Sequence, residues 1–194
     1  MIKFWISGIC AAASILLLAG CAPKKDPLPV STGNIEAPYQ EFDTASLFFY
    51  EKGIKRWRLE AEHMRKPLAD TGSLVVVPVK ISIFDSLGRP GSRILADSGS
   101  TDVKMETFYL WGNVFIRTDE GMVVKSPRLR WLKDQRKILS ETYVQIETPK
   151  GDMLRGVGLD AVDNFSRFSF KKDVEGIFPN FKQRLEQDDD NFFN

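Results

Sequence analysis

Val114-Phe115-Ile116-Arg117-Thr118-Asp119-Glu120-Gly121 recurs thirty residues on as Val144-Gln145-Ile146-Glu147-Thr148-Pro149-Lys150-Gly151. In each copy apolar and polar side chains alternate, then give way to a glycine turn. Alternation is the period of a strand with one face buried and one wet, because successive Cβ atoms point to opposite sides. The offset keeps its register without a gap: Val124 meets Leu154, Leu129 meets Leu159, Asp134 meets Asn164 and Ile138 meets Phe168. A weaker earlier copy begins at Ile81 and Ile83 and turns at Gly88. A hairpin cannot bury its own apolar face, so a repeated hairpin stacks on its neighbours.

The same period extends outward to both sides. Trp57, Leu59 and Ala61 alternate with Arg56, Arg58, Glu60 and Glu62; Val75, Val77, Val79, Ile81 and Ile83 share one parity; Phe168 and Phe170 alternate with Arg167, Ser169 and Lys171. Turn signals separate the runs at Lys52-Gly53, Gly88, Glu120-Gly121, Asp134-Gln135 and Gly151-Asp152. These features predict an all-β domain over residues 45–178, built from antiparallel repeated hairpins. Strands added in series give two facing sheets, a roll or sandwich with two open ends. The ends carry unpaired backbone groups that must be hidden or used. A short helix is suggested only at Phe181 to Gln187, within a tail over 179–194 whose sequence otherwise reads as disordered.

The N-terminus has another character. Lys3 precedes an apolar run from Phe4 to Leu18, closed by Leu18-Ala19-Gly20-Cys21. Small residues before a cysteine at the end of such a run resemble a lipobox, so residues 1–20 read as a lipoprotein signal peptide and Cys21 as the lipidated first residue. The alternative is an uncleaved transmembrane anchor, for which the run is about as long as the shortest spanning helices. Either reading puts the rest of the chain outside the cytoplasm. The other cysteine, Cys10, leaves with the signal peptide, so the mature domain has no disulfide and relies on its core. Residues 21–44, with Pro23, Pro27, Pro29, Gly33 and Pro38, read as a lipidated N-terminus and flexible linker.

Lys and Arg number 27 against 26 Asp and Glu, a balance that offers no basic field for nucleic acid. His63 is the single histidine and has no cysteine or second histidine to join, so no metal centre and no catalytic set is visible. Asp85, Asp97, Asp102 and Asp119 stand in or beside turns, where aspartate is common. Gly156-Val157-Gly158 lacks the strand–turn–helix setting of a phosphate loop. No enzyme activity and no cofactor are expected. The basic residues between Lys125 and Lys137 fit either a solvated face or contact with lipid phosphates.

Tyr109-Leu110-Trp111-Gly112-Asn113-Val114-Phe115-Ile116 resembles the L-x-G-x-V-x-I strand of the LptC family, the periplasmic component of lipopolysaccharide export, and of its relatives LptA and the N-terminal domain of LptD. Gly53 to His63, with Trp57-Arg58-Leu59-Glu60-Ala61, resembles that family's first long strand, and Val77-Pro78-Val79 through Phe84 its next. Leu129 to Ser140 and Arg155-Gly156-Val157-Gly158-Leu159 are similar to the later strands. The better-known members carry an N-terminal transmembrane helix, so a lipobox is a departure.

The resemblance implies a β-jellyroll whose two sheets splay, with a groove that holds the acyl chains of lipopolysaccharide. It implies receipt of that lipid from the inner-membrane ABC transporter and transfer to an LptA-like bridge protein by strand pairing. It also implies a periplasmic place beside the inner membrane in preference to the outer. The groove candidates are Trp57, Leu59, Ile81, Ile83, Val114, Ile116, Val124, Leu129, Trp131, Val144, Ile146, Leu154, Leu159, Phe168 and Phe170. Each is equally what an ordinary sandwich core needs. Gly156 and Gly158 are candidates for the edge that meets the bridge protein, or for a bend in the roll. The alternative function is a structural envelope lipoprotein that uses its sheet edges as a scaffold.

Overall fold

The computed structural model describes residues 38–69 and 72–179. All regular structure among them is strand: β1 (Tyr39–Glu51), β2 (Ile54–Pro67), β3 (Val75–Val77), β4 (Val79–Phe84), β5 (Pro90–Ala96), β6 (Ser98–Thr101), β7 (Thr107–Thr118), β8 (Val123–Leu132), β9 (Lys137–Glu147), β10 (Met153–Val162) and β11 (Phe168–Ile177). Both β3 and β4 pair with β2, and both β5 and β6 pair with β7. Each of these two couples is therefore one long strand, interrupted at Pro78 and at Asp97 respectively. The sheet is an antiparallel meander in chain order.

The thirty-residue repeat is visible in the element bounds. β8 runs Val123–Leu132 and β10 runs Met153–Val162, while β7 and β9 begin at Thr107 and Lys137. Their turns are alike bond for bond. The Gly121 N–H donates to the Thr118 carbonyl (3.1 Å) and the Gly151 N–H to the Thr148 carbonyl (2.9 Å). The threonine hydroxyls accept from Met122 N–H and Asp152 N–H. Gly121 and Gly151 have φ of 89° and 82°, a left-handed backbone that glycine takes without a Cβ clash. The earlier copy uses Asp85 in place of threonine, accepting from Leu87 N–H and Arg89 N–H. The Arg89 backbone N–H, its guanidinium and the Leu87 N–H hold the Asp85 carboxyl below the ordinary aspartate range.

The two expected sheets are the two halves of the same strands. A crease crosses the meander where the ladders are interrupted, most of them with a loss of register. It passes Thr44 in β1, where pairing skips a residue in register, Pro78, Asp97, Gly112-Asn113 in β7, Pro127 in β8, Glu141-Thr142 in β9, Val157-Gly158 in β10 and Asp173 in β11. Thr44, Gly112, Asn113, Gly158 and Asp173 all have positive φ, and the last four stand at bulges. Pro127 has no N–H to offer a ladder and sits where none is needed. Ser140 Oγ donates to the Arg128 carbonyl that the crease frees (2.9 Å). The bulge also flips the parity of β8: Val124 and Ser126 face inward before it, Leu129 and Trp131 after it.

Folding along this line lays one half of the sheet over the other. Trp57, on the half that contains β4 and β5, meets Phe108 (5.5 Å) and Trp131 (6.3 Å) on the half that contains β6. One cluster fills the space between, with Leu59, Ile81, Ile94, Ile116, Val124, Ile138, Val144 and Ile146 fully buried. The first strand begins at Tyr39, six residues inside the segment read as linker. Those residues pair in register with Met64 to Pro67 and His63, so backbone bonding there outweighs weak apolar patterning. The signal peptide, Cys21, the linker up to Ala37 and the Phe181–Gln187 helix lie outside the described residues.

Candidate functional site

The predicted groove residues converge. Trp57, Leu59, Ile81, Ile83, Val114, Ile116, Val124, Leu129, Trp131, Val144, Ile146 and Leu159 all belong to the buried cluster, while Leu154, Phe168 and Phe170 are partly buried against it. Exposure is graded along the meander. The middle strands are sealed, and the flanking strands offer half-covered side chains: Ala45 and Leu47 on β1, and Leu154, Phe168 and Phe170 on β10 and β11. β1 pairs with β2, β11 pairs with β10, and each has one free side among the described residues. Tyr39, Phe42, Phe48 and Tyr50 on β1, and Val174 and Ile177 on β11, are exposed apolar residues on these edge strands.

Gly156 and Gly158 do not form an edge. β10 is paired on both sides, with β9 and with β11, so the C-terminal edge belongs to β11. The glycines instead admit side chains of β11. A Cβ on Gly156 would stand 2.6 Å from Phe170 Cγ, and one on Gly158 2.8 Å from Lys171 Cβ. Lys171 then reaches Glu141 across β10 (2.7 Å). Its hydrogen bond and charge, with a smaller contribution from Arg130, hold the Glu141 carboxyl below the ordinary glutamate range.

The mouth opposite the crease is latched. Ser92 Oγ on β5 donates to the Asp163 carbonyl (2.8 Å) from the facing half. The Asp163 carboxylate, nearly buried, accepts from Arg136 Nη2 (3.1 Å) and Nε (3.3 Å). That bond and charge raise the Arg136 pKa. Two cavities line this seam. A smaller one of about 180 Å³ lies among Ser92, Asp119, Arg136 and Asp163. A larger one of about 390 Å³ has Phe49, Trp57 and Ile83 on one half and Trp131, Lys133 and Arg136 on the other. Phe49 stacks on Trp57 at 5.5 Å and 9°. Phe49, Phe108, Ser92 and Asp163 carry no functional signal in the sequence. The repeat aligns Asp163 with Lys133, a residue of opposite charge, so it gives no cue.

Other sequence candidates take structural places. His63, exposed, bonds Asp43 at 2.9 Å, and no group of three or more metal-ligating side chains occurs among the described residues. Asp102 accepts from the Glu106 and Thr107 N–H groups in its own turn, and Asp97 Oδ2 accepts from Asn113 Nδ2 at 2.7 Å. Four cations of the basic run have carboxylate partners: Arg130 with Glu141, Lys133 with Asp134, Arg136 with Asp163 and Lys137 with Asp160.

A family model described as lipopolysaccharide-assembly, LptC-related, matches residues 7–178. None of the curated proteins matches the chain. Among solved structures the chain is similar to LptH, the LptA-homologous periplasmic component of the lipopolysaccharide transport device of Pseudomonas aeruginosa. Identity is 8% and the TM-score 0.45, over 73% of this chain and 95% of that one.

Proposed function

Since the chain belongs to the lipopolysaccharide-assembly, LptC-related family, we propose that it carries lipopolysaccharide through the periplasm on the inner face of its folded sheet. It takes the lipid from the inner-membrane ABC transporter and passes it to an LptA-like bridge protein. The observation that carries this reading is the graded interior. The apolar row is continuous from β1 to β11 and becomes accessible at the two flanking strands. Each methylene kept from water is worth about 0.8 kcal/mol, so an acyl chain stays in a covered row and moves along it without chemistry. Strand addition at a free edge extends the row into a partner.

A photo-crosslinking residue at Phe168, half-covered at the C-terminal side, is expected to trap lipopolysaccharide in membranes, and one at Val114 to do so when the layers part. Lipid adducts at neither position, with protein adducts at surface positions, would favour the scaffold reading. The complete burial of Leu59, Ile81, Ile116, Val124 and Val144 fits that second reading.

The domain works beside a membrane because acyl chains on Cys21 tether it there, the inner membrane being the site of the donor. Cys21→Ser is expected to move the protein from the membrane fraction to the soluble periplasm. Retention in the membrane fraction would support an uncleaved N-terminal anchor instead.

A further inference from the structure

The face of the sheet turned away from the buried cluster gathers cations that the fold does not pair. Arg58 on β2, Ser82 on β4, Arg93 on β5 and Arg117 on β7 are successive register partners across four neighbouring strands. The residues beside them in each strand, among them Trp57, Ile83, Ile94 and Ile116, are buried on the inner face. The row therefore belongs to the outer face. Arg93 and Arg117, both exposed, stand directly opposite each other, where Cβ atoms are about 5 Å apart. Like charges so placed oppose folding. Arg58 follows beyond the small Ser82. Lys55 joins the three arginines in lining one cavity of about 580 Å³.

Elsewhere the sheet supplies carboxylates to such cations. Glu141 answers Arg130 (3.6 Å) and Lys171 (2.7 Å), and Asp160 answers Lys137 (3.0 Å). Here Arg58 shares Glu60 with Lys80 (2.9 and 3.2 Å). Lys55, Arg93 and Arg117 have no carboxylate partner among the described residues, and Asp119, the one carboxylate in the lining, pairs with none of them. Rings steady two of these cations instead. Lys55 Nζ lies 4.5 Å from the centre of the Phe84 ring, and the Arg117 guanidinium 5.7 Å from that of Phe115. Contact with a ring face places a cation without neutralising it. Leu95, directly opposite Phe115, adds an exposed apolar neighbour. The arrangement calls for an anion with enough oxygens for two guanidinium forks at once. A phosphate group has them, and arginine matches its geometry.

We propose that this cavity is a phosphate-binding site on the outer face, in which Arg93 and Arg117 hold one phosphate or phosphate ester between them. Lys55 and Arg58 complete the positive surround. The bound anion offsets the repulsion between the two opposed arginines, so ligand and fold stabilise each other. The site uses no residue of the closed interior and stands apart from the lipid-carrying reading.

The test is calorimetric titration of the full-length protein with inorganic phosphate and, separately, with monomeric dihexanoyl phosphatidylglycerol. At least one is expected to bind, and to bind more weakly as salt is raised. The tighter of the two identifies the source as a free anion or a lipid headgroup. Arg93→Gln and Arg117→Gln are each expected to weaken binding about fivefold, the worth of one hydrogen bond at an exposed site. Arg130→Gln combined with Lys137→Gln removes the same charge from cations that already have partners, and should bind as the wild type does. Without ligand, the unfolding midpoint of Arg117→Gln should equal or exceed the wild type's, since an opposed like charge is gone. Saturating ligand should raise the wild-type midpoint and leave that of the Arg93→Gln/Arg117→Gln double variant unmoved. Binding of neither probe overturns the site. Binding that survives in the double variant overturns it too, as does an equal loss in the Arg130→Gln/Lys137→Gln control. Phosphatidylglycerol held in the interior would stay bound to the double variant, a result that counts against this site and leaves the transport reading standing.

Discussion

Trp131→Ala is expected to lower the unfolding free energy by about 3–5 kcal/mol, the range for removing a large buried aromatic. Trp131 is 2% exposed. It packs on Phe108 at 5.0 Å within its own half of the sheet and on Trp57 from the other half. The two halves are held apart by continuous strands, so the void cannot close by a local shift, and the cavity cost adds to the lost transfer energy. The aromatic contacts add about 0.5–1.5 kcal/mol per pair beyond area. Trp111 is the control: it lies on the outer face at 39% exposure, and Trp111→Ala should cost within about 0.5 kcal/mol. Urea denaturation of both variants checks the contrast. A cost below about 1 kcal/mol for Trp131→Ala would mean that the two layers do not depend on the indole.

Gly156→Arg is expected to detach the last strand, at a cost of about 3 kcal/mol. Gly156 is buried, and the space its side chain would need holds the Phe170 ring, with Cγ at 2.6 Å and Cδ1 at 2.7 Å. Phe170 packs edge-on with Phe168 at 6.1 Å, so displacing one loosens both. Hydrogen exchange should show lost protection across Phe168–Ile177, with β7 to β9 protected as in the wild type. A partner that pairs with β11 should lose binding through this route, although Gly156 touches no partner. Gly158→Ala is expected to cost about 1–3 kcal/mol, because its φ of 76° is left-handed and the new Cβ would stand 2.8 Å from Lys171 Cβ, an atom that no side-chain rotation moves. Wild-type protection of β11 in the Gly156→Arg protein would show that the glycine serves some other purpose.

These two sites divide what is readable in the chain from what is not. Alternation along Val114-Phe115-Ile116 and Val144-Gln145-Ile146 is a local property. It dictates strands, their inward faces and, through the repeat, matching bounds for β8 and β10. Trp57 and Trp131 are visible as inward residues for the same reason. Their contact with each other is not, because it exists only after the sheet has folded along the crease. That crease is marked by Thr44, Asn113 and Asp173, polar residues common in any loop, at positions where their positive φ comes from neighbouring strands. Gly156 and Gly158 are legible as special backbone positions, but what fills the space above them belongs to β11. The register of β10 against β11 is decided by pairing.

Period and turn chemistry act over a few residues, so an all-β chain of repeated hairpins with one apolar face is legible from local residue order alone. The closing of that face on itself, the bond from Ser92 to the Asp163 carbonyl across 71 residues of chain, and the burial of the Trp57 and Trp131 indole N–H groups without acceptors all arise from tertiary packing. Those outcomes depend on where a continuous sheet bends, and the bend is set by ladders competing for register across all the strands together.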